Sequence, residues 1–332
     1  MSIRKPYLLF FGDAWDNLSA KTAIGVYEWQ PEDCVGQIRM PECVPRVDLP
    51  EMTVAEAYAA GARTMIIGVV NRGGVISDRW KRTMREALEC GMDLASGLHA
   101  RLTDIPEVKA AADRLGRTLH DVRHPDRDFA IGTGEPRTGH RVLTVGTDCS
   151  VGKMYTTLAL HRGMVTRGVD SDFRATGQTG ILIAGGGISV DAVISDFVSG
   201  AVEELCPAAS TEHWDCVEGQ GSLFHPSYAG VSLGLLHGAQ PEALILCHEP
   251  TRTHMRGLPN RALPSLRECV DANVEAAKLV SPNAKCVGVS VNTQHLGESD
   301  ARGAIEAAAD ATGLVSVDPA RDGVNRLIDA LL

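Results

Sequence analysis

Two kinds of hydrophobic pattern alternate along the chain. Short, continuous apolar runs are followed by stretches in which apolar side chains recur every three or four positions. In the first part YLLFF, CVGQIRM, TMIIGVV and DLASGL read as buried strands, while TVAEAYAAGA and SDRWKRTMREALECG carry helical spacing and stop at Gly. A second series follows: RVLTVG, VDSDFRAT, WDCVEG, ALILCH, KCVGVSVN and LVSVDP as strands, with TTLALHRGMVTRG and VDAVISDFVSGAVEEL as helical segments. Strands apolar on both faces and separated by helices predict an α/β fold with parallel sheets covered on both sides. Between the series lies IGTGEPRTGH, residues 131–140, whose Gly and Pro read as a linker.

Several first-series strands end in Gly, Asp or Asn, as in FFGD and VVNRGG, where a doubly wound sheet opens its crevice. The pattern predicts a Rossmann-like N-terminal domain over residues 1–136, with no GxGxxG and so no assigned dinucleotide. Asp13, Lys21 and the NRGG around Arg72 sit at its predicted strand ends and are candidates to close over a substrate. Residues 137–332 form the second predicted domain.

Composition narrows the function classes. The chain has 332 residues and a formal net charge of -10, which argues against nucleic-acid or membrane-surface binding, since both need a basic footprint. Nine cysteines show no CxxC pair and no regular framework, as expected of reduced cytoplasmic thiols. The opening MSIRKPYLLFFGDAWD meets Gly12 and Asp13 too soon for a secretory signal, and no apolar segment is long enough to span a bilayer. A cytoplasmic enzyme with a small-molecule substrate is expected, with a homo-oligomer as the default assembly.

The chemistry starts at VGTDCSVGKMYTTLAL, residues 145–160. Gly146, Gly152 and Lys153 are the core of a phosphate-binding loop running from strand into helix. Glycines let successive N–H groups turn toward an anion, the helix start adds positive potential, and lysine reaches the phosphates. Gly146, Thr147, Asp148, Cys149, Ser150, Val151, Gly152, Lys153, Met154 and Tyr155 are the expected contacts. The spacing is one residue longer than GxxxxGK[ST], and Met154 stands where Ser or Thr normally supplies a magnesium ligand. A thioether is a poor ligand for that hard cation. The loop therefore suits a diphosphate that is held and not cleaved, although Asp148, Ser150 or Thr156 are other places for a metal.

GTDCSVGKM resembles the GTDTxVGKT loop of dethiobiotin synthetases and related P-loop enzymes, departing from it at Cys149 and Met154. That resemblance implies a P-loop NTPase-like doubly wound sheet, an acidic strand-end residue at Glu218 in DCVEGQGSL, and an adenine contact at Asn292 in VGVSVNT. Over nearly its full length the chain resembles a bacterial family long known only as a domain of unknown function. The residues carrying this are PYLLFFGDAWDNLSAKTAIGV, VGTDCSVGKMYT, RATGQTGILIAGGGISVDAVISDF, EGQGSLFHPSYAGVSLGLLHG and LCHEPTRTHMRG. Some members of that family are D-glutamate N-acetyltransferases acting upstream of an N-acetyl-D-glutamate racemase. The resemblance implies an acetyl-CoA-dependent acyltransferase, and Met154 in the loop adds the expectation that no metal is required.

Acetyl transfer to an amino acid requires a base for the ammonium, donors for the developing oxyanion, and clamps for carboxylates. Glu218 is the first candidate for base and Asp191 the second; His225 and His248 are candidates for base or oxyanion donor. Arg174, Arg252 and Arg256 are candidates for carboxylates or the CoA 3′-phosphate, and Gln178 and Thr179 for substrate oxygens. Cys149 reads as a small packed side chain more readily than as an acetyl relay. Two other classes stay open: an ATP- and magnesium-dependent ligase or kinase, and a nucleotide-binding regulator without chemistry.

Overall fold

The computed structural model describes residues 3–17, 19–69, 76–125 and 127–332. The chain divides into two compact units, one of Met1–Arg127 with Gly177–Ala192, the other of Asp128–Thr176 with Val193–Leu332.

The first unit has five parallel strands: β1 (Tyr7–Gly12), β2 (Cys34–Arg39), β3 (Thr64–Ile67), β4 (Asp93–Ser96) and β5 (Leu119–Asp121). Their order is β2-β1-β3-β4-β5, a doubly wound arrangement whose direction reverses between β1 and β3. All six residues of β1 are buried, as its unbroken apolar run requires. The helices are α1 (Lys21–Trp29), α2 (Val54–Ala59), α3 (Asp78–Cys90) and α4 (Pro106–Leu115). Thr53 and Glu56 form a capping box on α2. Ser77 caps the start of α3, and Gly91, at a φ of 104°, stops it.

The second unit has six parallel strands: β6 (His140–Gly146), β7 (Ser171–Arg174), β8 (Trp214–Val217), β9 (Ala243–His248), β10 (Lys285–Val291) and β11 (Val315–Val317). They order as β11-β10-β9-β6-β8-β7. The chain runs outward from β6 to β7, returns to β8, and crosses to β9, so its reversal lies beside β6, where a ligand crevice is expected. Helix α5 (Lys153–Thr166) follows β6. Its Leu160 and Met164 join Val142, Cys216, Ile245, Leu327 and Ile328 in one continuous core.

The next helix, α6 (Gln178–Ala184), belongs to the first unit and packs on α1. The helical reading of 190–205 is corrected by the structure. Short 3-10 turns at Val190–Ala192 and Ser195–Phe197 precede α7 (Val198–Leu205). Here the chain passes from one unit to the other, between Ala192 and Val193, so no single helix can run through. The remaining helices are α8 (Ala229–Ala239), α9 (Leu266–Lys278), α10 (Glu298–Thr312) and α11 (Asn325–Leu331). Among the described residues no helix is long and apolar enough to cross a membrane.

Candidate functional site

The strand-to-helix loop after β6 is shaped for an anion. Ser150 and Gly152 both adopt positive φ, 56° and 102°, which turns neighbouring N–H groups the same way. Gly146 leaves no room for a side chain: a Cβ there would lie 2.8 Å from the Asp148 carbonyl and 3.0 Å from Lys153 Nζ. Ser150 is not glycine, so its left-handed backbone costs of order 1 kcal/mol, a strain of the kind stored at functional loops.

A buried ion pair fixes the loop. Asp148 is fully buried and accepts hydrogen bonds from Arg252 Nη1 at 2.7 Å, the Arg256 N–H at 2.7 Å and the Cys149 N–H at 2.7 Å. Arg252 also donates to the Cys149 carbonyl at 2.6 Å, the Ser150 carbonyl at 3.3 Å and Glu249 at 2.5 Å. Its guanidinium is therefore spent inside the fold. Arg256 donates to the Ser150 hydroxyl. These arginines, expected at carboxylates, ride on the connection after β9 and hold residues 148–150 in place.

Lys153 is buried and donates to the Asp148 carbonyl at 2.9 Å. Burial pushes its ammonium below the ordinary lysine range, so an arriving anion finds a poorly solvated cation. Glu218 follows β8 directly; its Oε2 accepts the Thr176 N–H at 2.8 Å and its carbonyl accepts the Thr176 hydroxyl at 2.6 Å. Gly219 packs edge-on against the loop strand, with its N–H donating to Thr144 Oγ1 at 3.0 Å.

His248 ends β9, where Cys247 pairs with Gly146, and its Nδ1 lies 3.2 Å from Thr147 Oγ1. Burial pushes this imidazole down to about 4, so it is neutral at pH 7. His225 has both nitrogens committed: Nδ1 accepts the Ser227 N–H, so Nε2 donates to the Arg256 carbonyl at 3.1 Å. Asn292, just past β10, lies over Gly152, its Nδ2 3.9 Å from where a Cβ would stand. Burial pushes the Cys149 thiol up despite Lys153, which disfavours an acetyl relay. Val151 is buried, Met154 half-buried and Tyr155 exposed at the helix start.

Groups suited to a hard cation are otherwise engaged. The Thr156 hydroxyl meets the Gly152 carbonyl at 3.0 Å and Ser290 Oγ at 2.7 Å. Asp148, Cys149 and His225 each bring a ligand atom within 4.8 Å of the others, yet the carboxylate already carries Arg252.

Other expected residues lie elsewhere. Arg174 donates to buried Asp215 at 2.5 Å and pairs with Asp172 at 2.9 Å. Asp191, Gln178 and Thr179 belong to the first unit, where Asp191 pairs with Arg123 at 2.7 Å. Asp13, just past β1, and Lys21, the first residue of α1, are exposed, and Arg72 with NRGG lies outside the described residues. The residues missed by sequence reading are Thr144, Thr176, Gly219 and Glu249, which hold the loop and its neighbours. Of these, only the glycine-flanked EGQG offered a local signal.

Residues 37–125 match the model of a domain of unknown function described as DUF1611_N, Rossmann-like domain, and residues 130–328 that of DUF1611_C, P-loop domain. A relative from Tritonibacter scottomollicae, named D-glutamate N-acetyltransferase, is 56% identical over 329 residues, 99% of each chain. A second of the same name, from a Pseudoalteromonas species, is 48% identical over 328 residues, again 99% of each. The crystal structure of a DUF1611 family protein from Anabaena variabilis superposes with a TM-score of 0.85 at 31% identity, covering 99% of both chains.

Proposed function

The chain belongs to the DUF1611 family, and from that premise we propose that it is a D-glutamate N-acetyltransferase using acetyl-CoA as donor. The observation that carries the activity is 56% and 48% identity, over 99% of the chain, to two relatives bearing that name. The donor is supported by the loop, whose backbone turn, buried Lys153 and Met154 suit a diphosphate held without magnesium. Asn292, over Gly152, is suited to the attached adenosine.

The reaction needs no redox partner. The freed amine attacks the thioester carbon, a C–N bond forms and the C–S bond breaks; of the two protons the ammonium gives up, one goes to the leaving thiolate, so that CoA departs as the thiol, and one goes to solvent. Purified protein given acetyl-CoA and D-glutamate should release thiol with no divalent ion present. Magnesium-dependent ADP formation, or no thiol release with any amino acid, would overturn the proposal. We further propose a cytoplasmic homo-oligomer, consistent with nine free cysteines, with native mass as the check.

Lys153→Ala should weaken CoA binding about 10- to 100-fold, the range of a charge-assisted hydrogen bond at about 1.5–3 kcal/mol. Isothermal titration measures this, and an unchanged affinity would place the diphosphate elsewhere. Glu218 stands close to the loop, whereas the pantetheine arm, extended, carries the acetyl group about 15 Å from the diphosphate at ordinary bond spacing. Its carboxylate is better suited to anchoring Thr176 than to deprotonating the amine. Glu218→Gln keeps an acceptor for the Thr176 N–H and should retain kcat within about threefold, because a lost general base costs about 100-fold or more. A loss of that size with CoA affinity intact would make Glu218 the base.

A further inference from the structure

The loop accounts for the acyl donor and leaves the amino acid without a place. Arg252 is committed to Asp148 and Glu249, Arg256 donates to the Ser150 hydroxyl, and the reacting carbon sits at the far end of a long arm. The first unit holds groups of suitable chemistry at one sheet edge. Residues 177–192, which follow the phosphate loop in sequence, belong to that unit and bring Gln178 and Thr179 to it. Gln178 lies against Gly97, just past the carboxyl end of β4, so closely that a Cβ on Gly97 would meet Gln178 Cβ at 2.9 Å. Thr179 Oγ1 lies 3.4 Å from Thr22 Oγ1 in the first turn of α1. That helix, whose first residue is the exposed Lys21, follows the carboxyl end of β1, and the exposed Asp13 lies just past that strand. Beside Gly12, at the same strand end, the Trp80 indole N–H is buried without a hydrogen-bond partner among the described residues, 3.1 Å from where a Gly12 Cβ would stand.

Resting on the function proposed above, we infer that the carboxyl edge of the first sheet, where its winding reverses at β1 and β3, binds the amino-acid substrate. Gln178, Thr179 and Thr22 offer neutral donors and acceptors to carboxylate oxygens, Lys21 a cation for the second carboxylate, and Asp13 a carboxylate for the ammonium. Doubly wound sheets place ligands at this reversal. Half-buried Gln178 makes no hydrogen bond of its own among the described residues, so its amide is available.

The test uses the full chain with Gln178→Ala and Thr179→Val combined. Each substitution removes a neutral hydrogen bond worth about two- to tenfold, so KM for D-glutamate should rise about tenfold or more. KM for acetyl-CoA and the melting temperature should stay at the wild-type values. D-glutamate added without CoA should also shift the Trp80 indole resonance, identified among four tryptophans by Trp80→Phe. An unchanged KM for D-glutamate in the double variant would overturn the inference, as would D-glutamate binding that perturbs no indole and disappears in Lys153→Ala. A wild-type protein that binds CoA but releases no thiol with D-glutamate would overturn the proposed function as well, so the two failures separate.

Discussion

Arg252→Ala should lower the stability of the second unit by about 3 kcal/mol, because removing one partner of a buried ion pair leaves the other charge uncompensated. Asp148 has no access to water and would keep only its two backbone donors, the N–H groups of Cys149 and Arg256. For a unit of this size that loss lowers the melting temperature by about 6–12 °C. CoA affinity should fall with it, since the Cys149 and Ser150 carbonyls lose the guanidinium that orients them. Arg252→Lys should recover part of the stability but not the loop geometry, because an ammonium cannot reproduce the fork. Thermal unfolding and CoA titration check both. Should Arg252→Ala melt like the wild type while KM rises for D-glutamate alone, the residue is a substrate clamp after all.

Gly219→Ala is expected to be as damaging, through sterics. Its Cβ would fall 1.7 Å from the Thr144 carbonyl oxygen and 3.1 Å from Lys153 Cδ. Neither backbone can retreat without disturbing β6 and β8, which pair along their length. Overpacking of this kind costs about 1–3 kcal/mol and more where backbone must move. The shift also drags Thr144, whose hydroxyl joins the Gly219 N–H to Thr157. CoA binding should weaken about tenfold, as for a displaced lysine contact. Gly230→Ala, on α8 with nothing within 4 Å of the added carbon, is the control and should gain about 0.5–1 kcal/mol. Equal melting temperatures for the two variants would show that the Thr144 contact is not restrictive.

Much of the architecture was legible from patterning, because a strand buried on both faces needs only its own residues to be recognised. YLLFF became most of β1 and ALILCH became all of β9 for that reason. The three-residue β5, LHD, carries a polar and a charged side chain and gave no apolar run to read. VDAVISDFVSGAVEEL had helical spacing throughout, but its first residues are drawn to Arg123 and the first unit while its last pack in the second. Local periodicity cannot register such a division.

The anion loop is a property of consecutive residues: Gly146, Gly152 and Lys153 bend and charge the backbone wherever that segment folds, and Met154 removes the metal hydroxyl. Linear order alone therefore established a parallel α/β protein with a glycine-rich loop between its sixth strand and the following helix. It left open which charges remain available to a ligand. Arg252 looked available for substrate until Asp148 was found against it, and Gln178 and Thr179 looked like part of the phosphate domain until α6 was found on α1. Partners distant in sequence leave no mark in local spacing, and only the folded chain, by bringing buried charges into hydrogen-bonding distance, decided which side chains around the loop are engaged with one another.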